Sequence, residues 1–268
     1  MIVAGRHAYP LLLAKAAREA GVKRIVAMAF RGETRRAIAS LADEVVWNTL
    51  GQFRTLLERM KATGIRRTIL AGQITPSNLF RLRPDALARE LLRDVSIRNA
   101  HTIYGKAIEQ FERIGLEVLP ANSFMERHVP EEGVLSRRQP SAREAADVEL
   151  GLRLVKGTSE FEIGQTVVVK EGVIVAVEAF EGTNRTIRRA GRVGGPGGVA
   201  VKVPKAGHDM RIDIPVVGTQ TFSVMRRARI ACLAVEAGKT ILLERDRLIA
   251  LADRLGMAFL AVKAPNET

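Results

Sequence analysis

Short apolar runs recur along the first half of the chain at intervals that each leave room for one helix, and this spacing limits the fold more than any other feature. Residues 1–4, 24–30, 44–47 and 67–71 are rich in Ile, Val, Ala and Leu and contain neither glycine nor proline. Runs of that length suit buried strands better than helices. The segments between them have helical spacing: 10–20 ends at Gly21, 35–41 is a shorter pattern, and 50–62 ends near Gly64. Glycine just past a helical run supplies the left-handed turn that stops it. Adjacent parallel strands need such crossovers. The spacing therefore predicts βαβ units, the α/β class, and a Rossmann-like N-terminal domain over residues 1–125. Helical patterns at 84–93 and 107–114 lead into a further apolar run at 116–119.

The texture changes after that. Residues 126–141 hold Pro130, Glu131-Glu132-Gly133 and Arg137-Arg138-Gln139-Pro140, a polar, turn-rich stretch that reads as a linker. Ser141 followed by Glu144 is a capping box that would start a helix over 141–156. Residues 142–268 are then expected to form a separate α/β C-terminal domain. Two β-branched runs, 166–169 and 173–177, flank Lys170-Glu171-Gly172 and signal a hairpin. Gly191, Gly194, Gly195, Gly197 and Gly198, with Pro196, read as a flexible loop. Strands are expected at 199–203, 211–215, 240–243 and 258–262, and helices at 223–236 and 245–255. Cys232 falls in the first of these helices among apolar neighbours, which suits a core residue.

Charge narrows the partners. Lys and Arg number 42 against 29 acidic residues, a net +13. Such an excess draws in anions: nucleic acid, an anionic membrane surface or a phosphorylated small molecule. Aromatic content of 4% and the lack of a zinc-finger or aromatic RNA-binding motif argue against nucleic acid. The four histidines lack paired zinc spacing, and the glycine cluster is not followed by Lys-Ser/Thr as in a P-loop. Gly5 alone is a weak dinucleotide signal. The longest apolar stretch, 164–177, is broken by Gln165, Lys170 and Glu171, too polar to span a bilayer. The first nine residues are too short for a secretory signal, and the single Cys232 forms no intrachain disulfide, so a cytoplasmic protein is expected.

Two segments of the second half carry groups suited to phosphate chemistry. One is 178–184, with Glu178, Glu181, Gly182 and Thr183. The other begins at Lys202-Val203-Pro204-Lys205 and runs on through Asp209, Arg211 and Asp213. In a strand the last three would share one face, an acid–base–acid row beside two lysines. Carboxylates that hold a divalent cation, with cationic side chains against phosphate oxygens, stabilise anhydride cleavage. A salt-bridged exposed strand face has the same spacing, and spacing alone does not separate the two.

These residues also carry a resemblance. Ile163-Gly164-Gln165, Glu171-Gly172, Ala176-Val177-Glu178-Ala179 and Glu181-Gly182-Thr183 occur in order, followed by Lys202-x-Pro204-Lys205 and Asp209-x-Arg211-x-Asp213-x-Pro215-x-x-Gly218. Glu236-Ala237-Gly238 and Asp253-x-Leu255-Gly256 complete the series, which resembles the UDP-2,3-diacylglucosamine pyrophosphatases of the LpxI type. The resemblance implies a Rossmann-like domain and a second α/β domain with the substrate between them. It also implies magnesium-dependent hydrolysis of UDP-2,3-diacylglucosamine to UMP and 2,3-diacylglucosamine 1-phosphate during lipid A synthesis. By that resemblance Asp213 and Asp209 are the expected catalytic residues, and Asp213 and Glu178 the expected metal ligands. Lys202, Lys205, Arg211, Glu181, Gly182, Thr183, Gly5 and Gly72 are expected to bind substrate.

The first half departs from the family pattern. Only Gly5 remains of an opening glycine run, which here reads Gly5-Arg6-His7. Ala71-Gly72-Gln73-Ile74-Thr75-Pro76-Ser77 lacks the family's arginine, Ala100-His101 replaces an acidic pair, and Asn184 stands where relatives often have aspartate. A non-catalytic or altered-specificity relative that binds a sugar nucleotide or lipid phosphate is the alternative. An acylated substrate implies peripheral attachment to the cytoplasmic face of the inner membrane, with Arg81 and Arg83 facing lipid and Leu79, Phe80 and Leu82 inserting. Packing of 79–82 against the second domain is the other reading of that segment. A homodimer is a further expectation from the family.

Overall fold

The computed structural model describes residues 1–75, 83–93, 100–161, 163–207, 209–212 and 214–264. Leu79, Phe80, Arg81 and Leu82, the expected membrane contact, lie outside the described residues, as do His208 and Asp213. The chain divides into two compact units. One comprises Met1–Met125 and Asp209–Asp213, the other Glu126–His208 and Ile214–Thr268.

The first unit is built on β1 (Ile2–Ala4), β2 (Val26–Phe30), β3 (Glu44–Asn48), β4 (Arg67–Ala71) and β5 (Glu117–Val118). They form a five-stranded parallel sheet in the order β3-β2-β1-β4-β5, the first five positions of the Rossmann order. Crossovers include α1 (Tyr9–Glu19), α2 (Phe53–Ala62), α3 (Ala86–Arg93) and α4 (Ala100–Arg113). Pro10 opens α1, where its missing N–H costs nothing. Every residue of β2 is buried, as a central parallel strand requires. Met28, Leu70, Met60 and Phe111 form the core on one face. Residues 35–41 yield only a 3-10 turn, Arg36–Ser40, while α4 begins well before the apolar spacing at 107–114. In this strand order the connections diverge at β1 and β4, so their carboxyl ends border a crevice.

The second unit holds β6 (Gly133–Val134), α5 (Ala142–Gly157), β7 (Thr166–Lys170), β8 (Val173–Val177), α6 (Thr183–Gly194) and β9 (Val199–Lys202). It continues with β10 (Val216–Val217), α7 (Thr219–Ala228), β11 (Cys232–Glu236), β12 (Ile241–Leu242), α8 (Arg245–Arg254) and β13 (Ala258–Val262). A six-stranded mixed sheet runs β6-β13-β11-β9-β7-β8, and β10 pairs with β12 separately. Alternate residues of β7 and β9 enter different cores. Val168 and Ala200 join Ile187, Phe222 and Met225, whereas Val167, Val169, Val199 and Val201 meet Val148, Leu152 and Val155 of α5. Helices therefore cover both faces. Ser141 caps α5 and Glu144 returns the bond, as its spacing predicted.

Four expectations change. Residues 223–236 are not one helix: α7 stops at Ala228, Arg229 turns left-handed, and β11 follows. A strand buried on both faces lacks alternation, so periodicity cannot tell it from a buried helix. Cys232 is thus a strand residue, though still core; burial raises its thiol to about 12, which leaves it unreactive. Gly191 and Gly194 belong to α6 rather than a loop; a Cβ on Gly191 would lie 2.6 Å from Ala228 O, so helix packing demands the glycine. Residues 209–212 are a turn instead of a strand. Finally, the turn-rich stretch 126–141 carries β6, which pairs with β13, and the Ser136 hydroxyl accepts from the Phe259 amide at 2.8 Å.

Candidate functional site

Three of the motif blocks meet at one hydroxyl in the second unit. Thr183, the first residue of α6, donates to the Glu178 carboxylate at 3.0–3.1 Å, and the Lys202 ammonium at the end of β9 donates to the same oxygen at 2.9 Å. Thr166 Oγ1 lies 3.1 Å from it as well. Glu178 and Lys202 are 9% and 8% exposed, so opposite charges share a site largely removed from water. There they interact more strongly than they would on the surface. Gly164 makes the space: a Cβ there would stand 2.2 Å from Glu178 Cγ. Its amide also donates to Glu178 O at 2.8 Å, and the Glu178 amide donates to Thr166 O. The Gly164, Glu178 and Thr183 blocks are thus tied by contact, not only by order.

Gly182 precedes α6 with φ 82° and ψ 156°, a conformation open in practice to glycine alone. Glu181 braces that bend. Its carboxylate accepts from Arg189 at 2.5 Å, from Thr186 Oγ1 at 3.2 Å and from the Ala179 amide at 3.1 Å. The Arg189 guanidinium, ahead of the backbone and hydroxyl donors, holds the Glu181 carboxyl down at about 2. Arg189 also donates to Val177 O at 2.9 Å, fastening α6 to β8. Glu181 and Gly182 therefore shape the entry to α6, and Arg189, which no sequence motif singled out, holds them. Only its spacing of eight residues from Glu181, about two helical turns, could have flagged it.

In the first unit Gly5 and Gly72 face each other across the ends of β1 and β4. A Cβ on Gly5 would fall 2.6 Å from Gln73 O, and one on Gly72 would fall 2.5 Å from Arg6 O. The close approach these glycines permit is between the two loops, which exchange the Gly5 amide to Ala71 O and the Arg6 amide to Gln73 O bonds, each 2.7 Å. Beneath them lies Glu33, a buried carboxylate absent from the sequence reading. It accepts from Thr75 N at 3.2 Å and Thr75 Oγ1 at 2.9 Å, with Arg6 Nε 3.6 Å away. His7 is left-handed at φ 72°; burial first, then Arg6 and Arg35, lower its pKa.

Asp209 and Arg211 belong to this first unit, and the Glu178 cluster to the second. Arg211 forks onto Asp209 through Nε and Nη2 at 2.8–3.1 Å and reaches Glu112 of α4 at 2.9 Å. Both acids raise its pKa, Asp209 the more. The shared strand face expected for Asp209, Arg211 and Asp213 is thus corrected: Asp209 and Arg211 pair with one another in a turn, and Asp213 lies outside the described residues. Lys205 is half-buried just past β9. Among the described residues, no three His, Cys, Asp or Glu side chains gather as metal ligands. Magnesium needs fewer, since it takes one or two protein carboxylates and completes its shell with water and substrate phosphates. Glu178, dry and fixed by Thr183, fits one such ligand.

Other motif residues are architectural. Asp147 is 3% exposed and accepts from the Glu171 and Gly172 amides at 2.8 and 2.7 Å, closing the β7–β8 turn. Glu236 is ion-paired at 2.9 Å with both Lys156 and Lys239. Asp253 accepts from the Arg137 amide at 2.6 Å. Much of the series thus has a place among the described residues, and comparison with known proteins agrees. The model of the LpxI N-terminal domain matches residues 1–128, and that of the LpxI C-terminal domain matches 131–260. The chain is also similar to the UDP-2,3-diacylglucosamine pyrophosphatase LpxI of Caulobacter vibrioides, 30% identical over 224 residues that cover 80% of each chain. With both domain models matched in order across nearly all of its length, the chain belongs to the LpxI family.

Proposed function

We propose that this protein hydrolyses the pyrophosphate bond of UDP-2,3-diacylglucosamine, releasing UMP and 2,3-diacylglucosamine 1-phosphate for lipid A synthesis. The observation that carries the reading is the buried Glu178–Thr183–Lys202 cluster at the start of α6. The name of the Caulobacter relative supports the substrate. Lys202 provides a cation for a phosphate oxygen in a dry setting, where such stabilisation is largest. The Thr183 and Asn184 amides add to it, since no side chain caps α6 and first-turn N–H groups favour anions. Thr183 orients both charged groups through one hydroxyl. Magnesium, when bound, would neutralise charge on the phosphates; Glu178 could serve as one protein ligand, and Asp213 is assigned as another by resemblance alone. Asp213 is assigned by resemblance as the acceptor of the attacking water's proton, with Asp209 set beside Arg211. Lys205 and Arg211 are assigned to substrate on the same ground.

Among the described residues no helix is long and apolar enough to cross a membrane. A diacylated substrate resides in a bilayer, so the reading includes attachment to the cytoplasmic face of the inner membrane as a peripheral protein. The test is release of UMP from the lipid nucleotide by purified protein with magnesium or manganese. Release that depends on the cation is expected. Retained lipid binding without UMP, with either metal, would instead make this a binding relative of altered function.

A further inference from the structure

The outer face of α6 has a pattern that the proposed chemistry does not use. Arg185, Arg188, Arg189 and Arg192 recur at helical spacing and line, with Glu181, one open cavity of about 320 Å³. Residues three and four apart on a helix are neighbours, so like charges there repel. The helix contains no acidic residue to offset them. Glu181 is committed to Arg189. Among the described residues, no ion pair joins Arg185, Arg188 or Arg192 to a carboxylate.

Exposed apolar side chains stand at both ends of this cationic row. Phe180, just before α6, is 65% exposed, and Val193 in its last turn is 72% exposed. The tip of the β7–β8 hairpin adds Val173, 63% exposed, on an edge strand. Its register partner Lys170 donates to Gly194 O at 2.8 Å, which places that tip beside the end of α6. Twelve helical residues span roughly 18 Å. The arginines extend over eight of those residues, roughly 12 Å, and such a row between apolar tips matches the interfacial pattern, in which cations meet lipid phosphates and apolar groups enter the acyl boundary. We infer that the outer face of α6 docks the protein on an anionic lipid bilayer.

The occupant follows from the mixture of chemistries. A soluble phosphate would satisfy the arginines and leave Val173 and Val193 in water, whereas a bilayer takes both. Because α6 also begins at Thr183, docking through it would hold the Glu178 cluster's own helix against the surface that contains an acylated substrate. The inference rests on the lipid-substrate reading for its purpose, though not for its geometry.

The experiment compares the full chain with an Arg185→Gln/Arg188→Gln/Arg192→Gln variant in co-sedimentation with vesicles. One set contains phosphatidylglycerol and phosphatidylethanolamine, the other phosphatidylcholine alone. The wild type should prefer the anionic vesicles and lose binding as salt rises. Removal of three surface cations should weaken that binding about a hundredfold without lowering the unfolding transition. Phe180→Ser with Val193→Ser should lower the part that persists in salt. UMP release from substrate dispersed in detergent should be the same for wild type and the triple variant. Wild type that ignores the vesicles, a triple variant that binds like wild type, or capture only of a duplex oligonucleotide through these arginines overturns the assignment. An inactive protein that still docks through α6 sinks the hydrolase reading alone; an active one that ignores these arginines sinks the docking face alone.

Discussion

Each unit contains a buried carboxylate beside a threonine hydroxyl and a cationic side chain, but the two arrangements differ in what is left over. In the first unit Glu33 accepts from both the amide and the hydroxyl of Thr75, Arg6 donates to that hydroxyl at 2.6 Å, and two interlocked backbones close the loops above. These bonds hold loop 72–75 in place beside β1 and β4. In the second unit Glu178 and Lys202 meet only through Thr183, and the lysine gives one N–H to that oxygen. An ammonium has further donors to offer. A closed polar cluster fixes a fold; one with remaining donors can also bind a ligand.

The largest expected effect tests the open cluster. Lys202→Met keeps most of the packed stem and removes the charge, so UMP release should fall roughly 100- to 1000-fold, as when a preorganised electrostatic group is lost. Folding should survive, because the Thr183 hydroxyl remains to donate to the Glu178 carboxylate. A variant with unchanged turnover would show that the cluster is as structural as its counterpart in the first unit. Glycine substitutions sharpen the same contrast. In Gly5→Ala the new methyl meets the Gln73 carbonyl, a backbone atom that cannot swing aside, whereas in Gly164→Ala it meets the Glu178 side chain. Gly5→Ala should therefore cost about 1–3 kcal/mol of stability. Gly164→Ala should melt closer to wild type but lose activity, since relief comes from displacing the carboxylate. Thermal melts and rates measured on both variants would expose a reversed order.

The same contrast explains which features were legible in the sequence. The strand spacing of the first half and the Ser141–Glu144 capping box survive in the structure because local chemistry decides them. The β7–β8 hairpin was readable from its Glu171-Gly172 turn, although the Asp147 carboxylate that secures it was not. The resemblance located Glu178, Thr183 and Lys202, yet their meeting depends on the β7–β9 pairing, far from any local pattern. Glu33 and Arg189 stayed hidden for a related reason: each acts through partners supplied by tertiary packing. The 223–236 segment misled because burial on both faces erases alternation. Asp209 and Arg211 misled differently, since alternation of charge is equally consistent with a turn whose side chains pair internally.

The smallest effect concerns the ion pair that braces α6. Glu181 titrates near 2 in the folded protein, below its ordinary value of 4.5, chiefly because Arg189 bonds to it. A carboxyl depressed by folding stabilises the native state above its unfolded pKa, and that contribution fades as pH falls toward the folded value. Arg189→Ala should thus be less stable than wild type by up to about 1 kcal/mol near neutrality, the scale of a partly exposed pair. The gap should narrow as pH drops from 4.5 toward about 2, where protonated Glu181 no longer distinguishes the two proteins. Urea unfolding across that range measures it. A gap that stayed constant with pH would assign the loss to the Val177 carbonyl bond instead, making Arg189 a packing residue of the β8–α6 junction. A gap that narrows, together with a fall in turnover at neutral pH, would mean that the charge pair sets the bend at Gly182 and, through it, the position of Thr183 between Glu178 and Lys202.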